Sequence, residues 1–289
     1  MKATRIIITA IFALAVQIAS AQQITIKATK VSRPLVEQWI KAYSEVHPEV
    51  TISTTNDASK ATLSMMCSSS EISGLTYVGR LAVLPVTSAE NPLIEDLTKK
   101  ELGAKEIKRL FFENDELEED EDEFVSKKSK KLREQLTVYS GSIATSVSGA
   151  FAEHFGQQRG DIRGKKIAGD DLYLLSAISE DKQSITFNSL AYLFDLQSRQ
   201  LKQGIAILPL NVKKDQAHLL YNGNLDEALA LLETQNVSLV PIENIAFDYQ
   251  GNDSAVKQFI AWVASEGQQY NHNNGFLKAN NEHNLLANK

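Results

Sequence analysis

Two loops rich in hydroxyl side chains each follow a predicted strand and precede a predicted helix. The candidate ligand-binding side chains are Thr29, Lys30, Ser32 and Arg33 in the first loop, and Ser142, Thr145 and Ser146 in the second. Backbone N–H groups at a helix start are unpaired, and hydroxyls beside them can donate hydrogen bonds to an anion. Ser and Thr are also favoured as ordinary helix caps. Both interpretations stay open on composition alone.

Other chemistry finds little support in the residue pattern. The five histidines show no metal-ligand spacing, and no nucleophile-elbow, zinc-protease or P-loop motif occurs. The single cysteine, Cys67, excludes an internal disulfide and a metal site built from cysteine pairs, and we expect it to be buried as a small apolar side chain. We therefore expect neither an enzyme nor a cofactor.

The charge is concentrated in one segment. The chain has 30 basic and 36 acidic residues, with no basic excess of the kind that nucleic-acid binding needs. Residues 113–123 contain nine of the carboxylates, and five cations follow within residues 127–133. A block of like charges repels itself and stays solvated. We expect an acidic surface insertion at 113–123, with a cation-binding or partner-docking tail as the alternative.

The first 21 residues have the pattern of a signal peptide. Lys2 and Arg5 precede an apolar run from Ile6 to Ile18, and Ala19-Ser20-Ala21 is a small-x-small cleavage pattern. The run is shorter than the roughly 20 apolar residues that cross a bilayer. We expect cleavage after Ala21 and a periplasmic protein that begins at Gln22.

The rest of the chain alternates strand and helix signals, which is typical of an α/β fold. Residues 23–28 alternate as a strand, residues 33–47 have helical spacing, and a short helix is predicted to end near Met66. Two long β-type segments, 75–88 and 239–249, are each followed by their own α/β material. They predict two lobes joined by two crossover strands, with a ligand in the cleft between the lobes.

Several segments resemble phosphate-transport-type (PstS-like) periplasmic solute-binding proteins of the class II periplasmic-binding-protein superfamily. The matching segments are residues 24–48 with Trp39 and Tyr43, residues 77–86 followed by Glu90-Asn91-Pro92-Leu93, the helix 97–112, Val240-Pro241-Ile242, residues 255–263, Glu266-Gly267-Gln268 and Gly275-Phe276. The resemblance covers nearly the whole chain after residue 21. It implies a two-lobe Venus-flytrap fold, with lobe 1 at residues 22–86 plus 240–289, lobe 2 at residues 87–239, and an oxyanion in the cleft.

The ligand loops depart from the family pattern. Family members that bind phosphate have an Arg shortly before a Ser-Gly-Thr turn in the second lobe, and the loop from Ser140 to Ser148 has neither. Ser68, Ser69 and Ser70 lie near the place where the family has a Ser, often with an Asp. Lys30 and Arg33 could supply the missing positive charge, although solvated loop cations are an equal alternative.

Two functions follow from the resemblance. The first is a periplasmic receptor, expected to be a monomer, that captures phosphate or a similar oxyanion for an inner-membrane ABC permease. The second is a ligand-free binding-protein scaffold that acts as an envelope protein-interaction module. The match of the scaffold favours the receptor, and the divergent ligand loops favour the interaction module.

Overall fold

The structure is a computed structural model of the 289-residue chain, and it describes residues 22–68, 72–99, 101–113, 130–142, 147–221 and 224–280. The predicted signal peptide and most of the acidic insertion lie outside these residues, so both stay predictions. Among the described residues, no helix has the length and apolar character needed to cross a membrane.

Strands and helices alternate along the described chain, as the sequence predicted. The strands are β1 Gln22–Lys27, β2 Val50–Thr55, β3 Leu63–Ser68, β4 Thr76–Ser88, β5 Thr137–Gly141, β6 Lys165–Ile167, β7 Ser184–Ser189, β8 Ile205–Ile207 and β9 Ile242–Asp248. The helices are α1 Arg33–Val46, α2 Ile94–Thr98, α3 Ala104–Phe111, α4 at residues 130–135, α5 Val147–His154, α6 Leu172–Glu180, α7 Leu190–Leu193, α8 Lys214–Tyr221, α9 Leu225–Thr234 and α10 Ser254–Ala264.

The first helix forms where the apolar spacing predicts it. Its buried residues include Leu35, Trp39 and Tyr43, which share one face because they are spaced at about one helical turn. Pro34 stands in the first turn, where its missing N–H costs nothing. The helix therefore begins and ends within one residue of its predicted limits.

The predicted helix ending near Met66 is wrong. Only residues 58–60 form a short 3-10 turn, capped by Asp57, and the following residues form β3. Leu63 and Met65 are both buried, so they show the alternation of a strand, and β3 pairs with β1 and β9. Sheet pairing on both sides decided this segment against its local helix signal.

One long strand joins the two halves of the sheet. The strand order is β2-β1-β3-β9-β4-β7-β5-β6, and β8 pairs with β4. The first half of β4 pairs with β9, with Leu81 opposite Glu243, and its second half pairs with β7, with Val83 opposite Ser189. The Val83 N–H donates to the carbonyl of Pro241, directly before β9, at 3.0 Å. The segment that leads into β9 therefore crosses between the two halves beside β4. This is the predicted two-lobe architecture, and the residue limits of the lobes stay a prediction.

Each half of the sheet has its own aromatic cluster. In the first half Tyr43 contacts Phe259 and Trp262 edge-on, at ring-centroid distances of 5.1 and 5.4 Å. In the second half Phe151 of α5 stacks on Phe187 of β7 at 4.0 Å. Aromatic pairs of this geometry stabilise the folded protein by more than the burial of their apolar surface alone. The second cluster holds α5 against β7 and so positions the start of α5 beside the strand ends.

Candidate functional site

The predicted ligand loops lie at the carboxyl ends of parallel strands in both halves of the sheet. β1 runs parallel to β3 in one half, and β5 runs parallel to β6 and β7 in the other. Ligands in open α/β sheets bind outside such strand ends. We define the first cleft face as residues 28–33, 67, 68 and 243, and the second cleft face as residues 142, 147, 171 and 188. The charge of Lys30, on the first cleft face, acts on Asp171, on the second.

The hydroxyls of the first cleft face are bonded to each other. Thr29 and Ser32 are both buried, and their side-chain oxygens lie 2.5 Å apart. The Ser32 N–H also donates to Thr29 Oγ1 at 3.3 Å. Ser32 stands at the predicted N-cap position of α1, but its side chain makes no capping bond to the helix. The structure thus brings these two predicted residues together as an internal network.

The two predicted cations of this loop have different surroundings. The Arg33 guanidinium donates to the side-chain carbonyl of Asn56, which follows edge strand β2. Arg33 is therefore engaged at the edge of the sheet. Lys30 is exposed, and its positive charge counteracts the rise in the pKa of Asp171. Lys30 is the predicted cation with an interaction across the cleft.

The remaining predicted residues are divided between described and undescribed segments. Ser68 ends β3 opposite Asn244 and is partly buried. Ser142 is exposed, and its backbone N–H donates to Ile167 O at 3.0 Å. Ser69, Ser70, Thr145 and Ser146 lie outside the described residues, so their part in the site stays a prediction.

An unpredicted carboxylate lies at the start of α5. Asp171 is only 7% exposed, and its Oδ2 accepts the backbone N–H of Val147 at 3.1 Å. Its backbone carbonyl accepts a bond from Asn188 Nδ2 at 2.7 Å. Burial raises the pKa of Asp171 to about 6, and the charge of Asp170 adds to this, while the Val147 N–H and Lys30 oppose it. One N–H at the start of this helix is therefore already paired with a carboxylate of the protein.

A second unpredicted carboxyl group, Glu243, lies on the first cleft face at the start of β9. Desolvation by the surrounding protein, together with the negative charges of Glu153 and Asp171, raises its pKa to about 8. Cys67, on the neighbouring strand β3, is partly buried. Burial also raises the pKa of this thiol, with Glu243 and Asp171 contributing. Near neutral pH, Glu243 and Cys67 are therefore protonated, and Asp171 is the group of the three that carries a negative charge.

Both carboxyl groups left a signal in the sequence. Gly169-Asp170-Asp171 directly precedes helix α6, and the Asp170 carboxylate accepts the N–H of Leu172 at 2.9 Å, as helix-start acids often do. Gly169 has a φ of 116°, which L side chains rarely adopt, so the turn before the two acids favours glycine. Glu243 lies between apolar residues 239–242 and the polar Asn244 of β9, and a carboxyl group inside a strand segment is an unusual feature.

No metal centre is formed by the described residues. The part of the chain that the structure describes contains no group of three or more His, Cys, Asp or Glu side chains arranged to hold an ion.

Comparison with known proteins identifies the fold. No family model and no curated protein matches the sequence. A protein from Clostridium perfringens, described as a phosphate ABC transporter substrate-binding protein with bound phosphate, superimposes with a TM-score of 0.59 at 13% identity, over 90% of this chain and 100% of its own. An ABC-type phosphate transport receptor from Vibrio cholerae gives a TM-score of 0.55 at 12% identity, over 88% of this chain and 99% of its own.

The same architecture occurs in proteins with other descriptions. OxyR from Corynebacterium glutamicum, solved with bound H2O2, gives a TM-score of 0.50 at 12% identity, over 93% of this chain and 70% of its own. Likeness at this identity concerns architecture, because one fold hosts several functions. The chain has a two-lobe α/β fold of the periplasmic-binding-protein type, and the solved structures that share this fold include proteins described as phosphate-transport binding proteins.

Proposed function

We propose that the chain is the solute-binding component of an ABC importer, and that it captures phosphate or a similar oxyanion between its two lobes. The observation that carries the proposal is that Lys30, in the first strand-end loop, lies near enough to the buried Asp171 for its charge to lower the pKa of that carboxyl group. Among the structures that share the fold, the C. perfringens protein holds phosphate. Delivery to an inner-membrane permease is part of the same proposal.

The acidic character of the cleft narrows the ligand. The Asp171 carboxylate would repel a fully deprotonated anion, because a buried like charge is costly in low dielectric, whereas Glu243, with a pKa of about 8, is protonated near neutral pH. An oxyanion that keeps a proton can turn an O–H group towards the carboxylate, which accepts hydrogen bonds only, and is therefore repelled less. Phosphate keeps at least one proton at neutral pH and sulfate keeps none. We therefore expect phosphate to bind in preference to sulfate.

Export belongs to this proposal as well. A receptor that serves an inner-membrane importer works in the periplasm, and residues 1–21 provide the pattern of a cleaved leader. Mass spectrometry of the mature protein should find Gln22 as the first residue. An intact leader would contradict periplasmic export by cleavage.

One observation favours the second candidate function, a ligand-free scaffold that acts as an envelope protein-interaction module. The Asp171 carboxylate already occupies the Val147 N–H, which is a group that an oxyanion would use. Because this N–H donor already has a partner within the protein, no ligand is required to pair it.

Calorimetric titration with phosphate and with sulfate, at two salt concentrations, separates the two functions. For the receptor we expect heat with phosphate, and about 2.7 kcal/mol of added stability at 100 times the Kd. The variant T29V/S32A should lose affinity about tenfold or more, because two hydroxyls of the first cleft face are removed. The control S53A removes an exposed hydroxyl on edge strand β2 and should bind as wild type. No heat and no stabilisation at millimolar phosphate would leave the interaction module as the better account.

A further inference from the structure

The start of α5 carries a negative charge that belongs to the protein itself. Asp171 lies 24 residues after Val147 in the chain, and its Oδ2 nevertheless accepts the Val147 N–H. The side chain comes from the turn after β6, and Asn188 of β7 holds the backbone of the same residue. Asp171 is more than nine-tenths buried. The carboxylate is thus held in place by two neighbouring elements.

The position of this carboxylate is one that a bound oxyanion would take. The N–H groups at a helix start carry partial positive charge, and carboxylate and phosphate oxygens are equivalent acceptors for them. Two anions on one helix start repel each other strongly where water is excluded. Lys30 is the only cation among the groups that shift the pKa of Asp171, and it lies on the opposite cleft face.

We propose that Asp171 is a built-in competitor of the ligand, and that it sets the affinity of the cleft by occupying the start of α5 when no oxyanion is bound. The proposal rests on the oxyanion-binding function proposed above. In this mechanism the incoming ligand displaces the Asp171 carboxylate from the Val147 N–H. Asp171 is therefore a residue that determines ligand affinity and specificity.

Two substitutions test the proposal by calorimetric titration with inorganic phosphate at pH 7.5. D171A vacates the Val147 N–H and removes the charge, so we expect phosphate to bind about tenfold tighter or more than to wild type. D171N removes the charge but keeps a side-chain oxygen for the N–H, so we expect an intermediate gain. The control D170N makes the same change of charge one residue away, at a side chain that bonds to Leu172, and should alter affinity less than threefold.

Thermal unfolding first checks that each variant is folded. If D171A does not fold, the phosphate affinity of D171N tests the proposal. Tighter binding by the Asp171 variants and not by D170N supports the proposal. Equal or weaker binding by both Asp171 variants, or an equal gain in D170N, overturns it and leaves the receptor function of wild type intact. Binding by the Asp171 variants alone supports the competitor and overturns wild type as a phosphate receptor. Binding by none of the proteins overturns both.

Discussion

The two cleft faces differ in what their polar side chains do at the start of a helix. On the first, Thr29 and Ser32 bond to each other as neutral hydroxyls before α1. On the second, the Asp171 carboxylate accepts the first described N–H of α5. A hydroxyl can exchange one partner for another without a change of charge, because it both donates and accepts. An ionised carboxylate only accepts hydrogen bonds and keeps its negative charge. The second cleft face therefore restricts which anions can bind beside it.

The difference also sets the electrostatics of the whole cleft. Burial raises the pKa of Glu243 on the first cleft face, and the charges of Glu153 and Asp171 add to this rise. Burial also raises the pKa of the Cys67 thiol, and Glu243 and Asp171 add to that rise. Lys30 is the cation that counteracts Asp171. The ionisations of these groups are therefore coupled, so a substitution that removes one of them should change the pKa values of the others.

The largest expected effect comes from a substitution of Phe151, whose packing holds α5 beside the second cleft face. Phe151 is fully buried, stacks on Phe187 and contacts Phe111 edge-on. F151A should reduce the free energy of unfolding by about 3–5 kcal/mol, since a large core side chain is lost and a cavity remains. Urea unfolding measures this loss. F151L, which keeps most of the volume, should cost much less, and equal losses in the two variants would contradict the packing role.

The next effect concerns Glu243 and the pH dependence of stability. Its folded pKa, about 8, lies above the ordinary value of 4.5, so folding binds a proton between these pH values. The stabilisation is complete below about pH 4.5 and is lost as the pH rises through 8. E243Q mimics the protonated form. It should therefore be more stable than wild type by about 2–4 kcal/mol at pH 8.5 and nearly equal to it at pH 4.5.

Urea unfolding of both proteins at pH 4.5, 6.5 and 8.5 tests this prediction. The difference between wild type and E243Q isolates the one carboxyl group, because the other titratable groups are present in both proteins. A difference that does not change with pH would show that Glu243 is ionised in the folded protein at neutral pH.

A smaller effect is expected at the hydroxyl pair of the first cleft face. S32A removes one partner of a buried hydrogen bond and leaves the Thr29 hydroxyl without it, which should cost about 1–2 kcal/mol of stability. S53A is the exposed control and should stay within about 0.5 kcal/mol of wild type. Chemical denaturation compares them, and equal stability of S32A and wild type would mean that the pair contributes nothing.

The smallest effect is expected at Lys30. The side chain is exposed, so K30Q should leave stability within about 0.5 kcal/mol of wild type. Its charge acts across the cleft, so phosphate affinity should fall about two- to fivefold at low salt and less at high salt. Titration at 20 and 300 mM salt measures this, and a loss that does not depend on salt would assign Lys30 a direct contact with the ligand.

The order of elements could be predicted because each signal is local. Helix α1 and strand β1 follow from apolar spacing within fewer than twenty residues, and the long β segment around residues 75–88 became β4. Two exceptions show the limit of the method: the predicted helix at 97–112 is divided into α2 and α3, with Leu102 in a β-bridge to Leu210 between them, and the predicted helix ending near Met66 is replaced by β3. Its residues have a weak local preference, and pairing with β1 and β9 decided their conformation.

The candidate site could be predicted only in part. Thr29 and Ser32 were found because hydroxyls before a helix have a local meaning, and the structure brings the two together. The use of Arg33 at the sheet edge depends on Asn56, which is 23 residues away, and no spacing rule connects the two. The predicted residues 69, 70, 145 and 146 lie outside the described chain.

The sequence by itself thus determined the α/β alternation, the two long strand segments and the hydroxyl content of the ligand loops, since these depend on neighbours along the chain. Only the tertiary structure decided that the cleft is acidic. Asp171 reaches Val147, and Glu243 meets Glu153, because the sheet order places these elements side by side. Charge in a cleft depends on distance and burial, and both are properties of the folded chain.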